Sequence, residues 1–296
     1  MGELSGYFSL QDRDGMPSRG GQKCIEPAIS ECVGFGVDDG SYCNQVSGPQ
    51  MNILIAGATS IVGQAIAMRF APDNRVVLLS RNHDKSENLR YRLMEHGADS
   101  VQIVTMDLGD PELVSLNNIQ ENFDLFIYSA CSTSQLRDHN VDVGLIDVQA
   151  SIDLMAPVKM TMNVMANKRG AAHQAPLRVI FVSTILASII SPNRRIYASY
   201  KVLTEEYLKR ICGDQPDEVK LLIIRIATFI SPKKESVKAD KLADGIYAAF
   251  QAEQTEYLFG FSGRMLKFIF FLQPWLVMHL LKLIRRLRSS LGSPIK

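Results

Sequence analysis

From Met51 onward the chain alternates short apolar runs with stretches of helical period, and this alternation constrains the fold more than any other feature. The runs that read as buried strands are Asn52–Ala56, Val76–Ser80, Val101–Met106, Leu125–Ala130, Arg178–Ser183, Leu221–Ile226 and Tyr257–Phe259. Their near-continuous hydrophobicity is that of parallel strands covered on both faces. Helical patterns fall between them at Val62–Phe70, Lys85–Glu95, Pro111–Gln120, Leu145–Lys168, Tyr197–Ile211 and Lys238–Ala252. Pro111 after Asp110 is a helix start with proline at the first helical position. Repeated strand–helix units joined by right-handed crossovers predict a doubly wound α/β fold, a parallel seven-stranded sheet with helices on both faces.

Residues 1–50 differ. They are rich in Gly, Ser, Asp and Pro and show neither a period of 2 nor one of 3.6. Such a segment buries too little apolar surface to offset its ordering entropy. It reads as a disordered extension, or as one added by a misplaced start, because Met51 directly precedes the first strand. The expected organisation is therefore this extension, a folded domain over 51–262 and a tail over 263–296.

Composition excludes several classes. With 32 basic against 31 acidic residues and a net charge of +1, no global pull toward nucleic acid exists, and no nucleic-acid partner is expected. The five cysteines, Cys24, Cys32, Cys43, Cys131 and Cys212, are odd in number and irregular in spacing, which argues against a disulfide framework and for a reducing, cytoplasmic setting. Cys131 reads as a small buried hydrophobe. The five histidines show no metal-ligand spacing, so no metal is expected.

The first strand runs into Gly57-Ala58-Thr59-Ser60-Ile61-Val62-Gly63, and a helix follows. In a Rossmann unit a strand, a glycine turn and a helix N-terminus place a pyrophosphate against free backbone N–H groups and the positive end of the helix. Gly57 allows the tight turn and Gly63 the close helix–strand packing. The middle glycine of the usual fingerprint is replaced by Ser60 or Ile61, depending on alignment. The second strand ends at Ser80-Arg81. No Asp or Glu is present over Val76–Arg81 to bind a ribose 2′-hydroxyl, and Arg81 suits a 2′-phosphate, so NADP(H) is expected over NAD(H). The third strand ends at Asp107-Leu108. The Asp107 carboxylate either accepts from the adenine amino group or serves a turn.

Tyr197-Ala198-Ser199-Tyr200-Lys201 opens the helical stretch after the fifth strand. Residues i and i+4 share a helix face, so Tyr197 and Lys201 project together. A phenol with pKa near ~10 is a poor acid or base at neutral pH, and a nearby ammonium favours the phenolate. Tyr197 is thus a general acid for ketone reduction or a base for alcohol oxidation. Thr184 ends the preceding strand 13 residues before Tyr197, where its hydroxyl can bind the substrate oxygen.

From Met51 to about Gly260 the chain resembles the short-chain dehydrogenase/reductase family. Gly57-x5-Gly63, Thr184 and Tyr197-x3-Lys201 fall on the family's cofactor turn, its catalytic Ser/Thr and its Tyr–Lys pair. The resemblance implies that Tyr197 transfers the proton, that Lys201 lowers its pKa and holds the nicotinamide ribose, and that Thr184 orients the carbonyl. The length is similar to that of short-type members. The family's Asn-Asn-Ala-Gly is Tyr128-Ser129-Ala130-Cys131 here, with Ala130 still allowing close packing under the cofactor. Its Pro-Gly after the sixth strand is Ala227-Thr228. The asparagine that supports a proton relay in many members is matched by Asp153, whose carboxylate either holds the same water or alters the pH profile. Family members are commonly homo-oligomers, which sets the same expectation here.

The tail carries Trp275, Leu276, Leu280, Leu283 and Leu287 with Lys282, Arg285, Arg286 and Arg288. Lys267, Gln273, Pro274, His279 and Lys282 interrupt its apolar run, so a membrane span is not expected. The pattern is that of a basic amphipathic helix at the inner membrane surface, or of a helix covering the core. The tail and the opening Met51–Ser60 resemble the reductases of polyprenyl-phosphate-linked keto-sugars within the family. The expected substrate is therefore a small molecule or a lipid-linked sugar of cell-surface glycan synthesis. Two alternatives stand beside this reading: a catalytically weak dinucleotide-binding regulatory protein, and a nucleotide-sugar epimerase or dehydratase.

Overall fold

A computed structural model of the 296-residue chain describes residues 50–110, 121–132, 143–169, 175–188, 195–227 and 235–260, with 279, 282 and 283. These all fall within the unit Ser47–Lys296. The expected helix Pro111–Gln120, the extension before residue 50 and nearly all of the 263–296 tail lie outside the described residues. Of the tail, His279, Lys282 and Leu283 are helical and exposed.

The elements run β1 (Asn52–Ala56), α1 (Ile61–Phe70), β2 (Arg75–Ser80), α2 (His83–Glu95), β3 (Ser100–Thr105), β4 (Leu125–Tyr128), α3 (Val143–Ala150), α4 (Ala156–Arg169), β5 (Leu177–Thr184), α5 (Arg195–Gly213), β6 (Val219–Ile226), α6 (Glu235–Gln251) and β7 (Glu256–Phe259). The seven strands form one parallel sheet in the order β3-β2-β1-β4-β5-β6-β7. This is the doubly wound α/β Rossmann architecture expected from the alternation.

Side chains alternate across each strand, so each central strand feeds two cores. Ile53 and Ile55 of β1 join Ile66, Phe70, Leu242, Ile246 and Phe250 of α1 and α6 on one face. Leu54 and Ala56 join Phe126, Tyr128, Phe181, Met160, Val164 and Leu208 on the other, under α4 and α5. Burial on both faces explains why these strands read as unbroken apolar runs.

One expectation is corrected. The pattern over Leu145–Lys168 predicts a continuous helix, but a π-helical turn, Ser151–Met155, separates α3 from α4. The apolar period runs through this turn unchanged, so hydrophobicity alone cannot reveal it. Pro157 marks its cause, since it has no N–H to return to the Asp153 carbonyl four residues back; Tyr128 donates its hydroxyl hydrogen to the Ile152 carbonyl, and Thr204 Oγ1 lies 2.6 Å from the Asp153 carbonyl. Carbonyls withdrawn from the helix ladder are thus satisfied by a strand and by α5. Burial first, then the nearby Asp153 charge, push the Tyr128 phenol well above its ordinary pKa, so it stays a donor.

Candidate active site

The strand order departs in both directions from β1 and β4, and ligands of such sheets bind at the carboxyl ends there. The chain leaves β1 at Gly57, whose φ of 79° is left-handed. A Cβ on Gly57 would stand 2.5 Å from the backbone nitrogen of Ala130, just past the end of β4. A Cβ on Gly63 would stand 2.3 Å from the Gly57 carbonyl oxygen. Both positions therefore require glycine, and Ala130 makes the close approach expected of it. The turn is held from both sides: the Gly57 N–H donates to the Leu79 carbonyl at 2.9 Å, and Ser129 Oγ to the Ala56 carbonyl at 3.0 Å.

Ser60, which takes the place of the missing glycine, is the N-cap of α1 and accepts from the Gly63 N–H at 2.9 Å. The N–H groups of Thr59, Ile61 and Val62 find no acceptor among the described residues. A glycine-shaped cradle at a helix N-terminus with open N–H groups fits a pyrophosphate.

Gly57, Thr59, Ser60, Arg81, Asp107, Leu108 and Ala130 line one cleft of about 450 Å³ above this turn. Ile61 and Gly63 start the helix beside it. Arg81 is exposed at the end of β2. Asp107 Oδ1 accepts from the Gly109 N–H at 2.9 Å, so one of its oxygens is committed to the turn after β3. Cys131 also lines the cleft and is exposed, which corrects the expectation of a buried residue. It sits beyond the last paired residue of β4, where sheet burial has ended. A larger hollow of about 540 Å³ lies at the opposite ends of β5 and β6, around Arg178 and Phe250, away from the expected catalytic side chains.

The helix α5 carries Tyr197 and Lys201, with Tyr197 half-buried and Lys201 fully buried. Lys201 Nζ lies 5.8 Å from the Tyr197 ring centroid, 4.9 Å from that of Phe181 and 3.1 Å from Asp153 Oδ1. Lys201 and Asp153 side chains are both 0% exposed, which makes this a charge pair out of water. Neither Lys201 Nζ nor Asp153 Oδ1 makes an aligned hydrogen bond. The contact is Coulombic, and the directional N–H groups of Lys201 stay open for a ligand. A buried ammonium with a paired charge but uncommitted N–H groups fits the ribose hydroxyls of a nicotinamide nucleotide.

The structure brings Asp153 to Lys201 directly. Its Oδ2 accepts from the hydroxyl and the N–H of Ser132, a residue that no spacing singled out. Thr184 ends β5, and its Oγ1 accepts from the Leu186 N–H at 3.3 Å. A second cluster escaped the sequence reading. Glu205, one turn beyond Lys201, accepts from Ser183 Oγ and pairs with Arg225, which also pairs with Glu256. Burial opposes the Arg225 charge, but the hydrogen bonds it donates to Glu205 and Glu256 raise its pKa above the ordinary value. The recurrence of Tyr197, Lys201 and Glu205 at i, i+4 and i+8 was the available signal.

Comparisons with known proteins agree with this geometry. The family model for short chain dehydrogenase matches residues 51–235. Among solved structures, a bulky-bulky ketone specific alcohol dehydrogenase from Comamonas testosteroni superposes with a TM-score of 0.63 at 17% identity, over 83% of this chain and 95% of that one. A short-chain dehydrogenase from Sphingobium yanoikuyae, in complex with NADPH, gives a TM-score of 0.61 at 16% identity, over 83% and 97%. L-Sorbose reductase from Gluconobacter frateurii, complexed with NADPH and L-sorbose, gives 0.61 at 18% identity, over 71% and 95%. No curated protein sequence matches the chain. A glycine cradle, an open buried lysine below a tyrosine and the matched family model lead to one conclusion: the chain belongs to the short-chain dehydrogenase family and is an NAD(P)-dependent oxidoreductase.

Proposed function

We propose that the chain reduces a ketone to a secondary alcohol with NADPH and a proton, and runs the reverse reaction with NADP+. The observation that carries this reading is the buried Lys201 ammonium, held by Asp153 beside the Tyr197 ring. The nicotinamide supplies or takes up the hydride. Tyr197 donates its hydroxyl proton to the substrate oxygen as charge builds there, and recovers it in alcohol oxidation. Lys201 favours the tyrosinate left behind. Thr184 uses a lone pair to cap the following turn, which leaves its hydroxyl hydrogen to donate to the same substrate oxygen. Asp153 is a positioning residue: it offsets the Lys201 charge and is itself fixed by Ser132.

Arg81 at the cleft rim, with no acidic residue on β2, supports NADP(H) over NAD(H). For the substrate we infer a keto-sugar, free or lipid-linked. The similar L-sorbose reductase with NADPH and L-sorbose bound supports the sugar. The basic amphipathic pattern of residues 263–296 supports a lipid-linked substrate met at the cytoplasmic membrane surface. No described helix is long and apolar enough to cross a membrane.

Titration of NADPH and NADH into wild type and Arg81→Ala tests the cofactor reading. NADPH should bind more tightly to wild type, and the variant should lose that advantage by about tenfold or more, as expected for charge-assisted hydrogen bonds of about 1.5–3 kcal/mol. Equal wild-type affinity for the two nucleotides would remove the assignment to Arg81.

A further inference from the structure

Gln149 is 1% exposed, and neither its Nε2 nor its Oε1 has a hydrogen-bond partner. A buried amide left unpaired is unfavourable, so a fold retains one only with difficulty unless a ligand completes it. Gln149 lines the cleft above the glycine turn. It lies on α3 with Leu145 and Val148, and these three line the cleft together with Ile152 of the π-helical turn that follows. This wall packs toward the turn after β3: a Cβ on Gly109 would meet Val148 Cγ1 and Asp107 Oδ1, each at 3.2 Å. That end of the sheet is remote from Thr184 and Tyr197, which belong to β5 and α5.

The wall has a particular chemistry. Leu145 is 41% and Val148 40% exposed, and both line the cleft, so two apolar side chains are available to face a bound ring. A purine base has two apolar faces and an edge carrying a donor beside an acceptor, and a glutamine amide matches that edge with two hydrogen bonds.

We propose that Gln149 is the adenine-reading residue of the cleft, its amide bonding the amino edge of the dinucleotide's base while Leu145 and Val148 cover the ring. This rests on the dinucleotide reading above and adds a residue to it.

The test is calorimetric binding of NADP+ and of its analogue with purine in place of adenine, which lacks only the amino group. Wild type should bind the analogue about tenfold more weakly, equivalent to about 1.4 kcal/mol. Gln149→Leu should bind the two ligands within about twofold of each other, with NADP+ affinity reduced about tenfold. The leucine also removes an unsatisfied amide, so the apo variant should melt about 2–4 °C higher for each kcal/mol gained, which separates a binding defect from misfolding. Discrimination that survives Gln149→Leu, or equal weakening of both ligands, would overturn the assignment and leave the dinucleotide reading intact. Absence of NADP+ binding in wild type would overturn both.

Discussion

Removing Asp153 gives the sharpest stability prediction. Asp153 and Lys201 are fully buried with Oδ1 and Nζ 3.1 Å apart, and the Phe181 ring centroid lies 4.9 Å from the ammonium. In Asp153→Ala the ammonium stays buried with no opposing charge. Deleting one partner of a buried pair costs about 3–5 kcal/mol. With a urea m-value of about 3 kcal/mol/M, the unfolding midpoint should fall by roughly 1–2 M at unchanged m. Lys201→Met in the same background removes the uncompensated charge and restores apolar contact with Phe181. The double variant should recover at least about 2 kcal/mol of the single variant's loss, as replacing a whole buried pair is often neutral. Urea unfolding followed by circular dichroism measures all three. An Asp153→Ala midpoint within about 0.2 M of wild type, or a double variant no more stable than the single, would refute the claim that the pair is mutually dependent.

Other expectations follow from individual contacts. Gly63→Ala forces a Cβ against the Gly57 carbonyl at 2.3 Å, so α1 must back away from the turn; dinucleotide affinity should fall at least about tenfold with an overpacking loss of about 1–3 kcal/mol, read by titration and thermal melting. Tyr128→Phe leaves the Ile152 carbonyl without its donor and should cost about 1–3 kcal/mol, with hydrogen exchange speeding first in Ser151–Met155. Burial pushes the Cys212 thiol up to about 12 from 9.0. Its stabilising contribution is therefore whole below pH 9 and is lost as pH rises toward 12. At pH 8.5, iodoacetamide followed by peptide mapping should label exposed Cys131 and spare Cys212.

The alternation after Met51 made the sheet legible, because strands buried on both faces must be apolar throughout. All seven strands lie where the runs place them, within two residues at each end. Gly57, Gly63, Tyr197, Lys201 and Thr184 were legible because each has a backbone or spacing requirement visible in one dimension. Ser132 and Gln149 were not, since their significance depends on what crosses from another element. The π-turn at Ser151–Met155 had one signal in the sequence, Pro157 just beyond it, whose missing N–H breaks the helix ladder; the donors that satisfy the freed carbonyls, Tyr128 and Thr204, are distant in sequence. Cys131 misled because a strand-end residue reads as buried until the length of pairing is known.

Paired assays on Tyr197→Phe and wild type test the central claim most directly: NADPH titration, and NADPH oxidation with a panel of ketones and keto-sugars. The account predicts near-equal NADPH affinity in the two proteins and turnover lower by about 10²–10⁴-fold in the variant, the loss expected of a general acid. Turnover that survives the substitution would contradict Tyr197 as the proton donor. Tight NADPH binding without turnover by wild type on any ketone would favour a dinucleotide-binding regulatory protein instead.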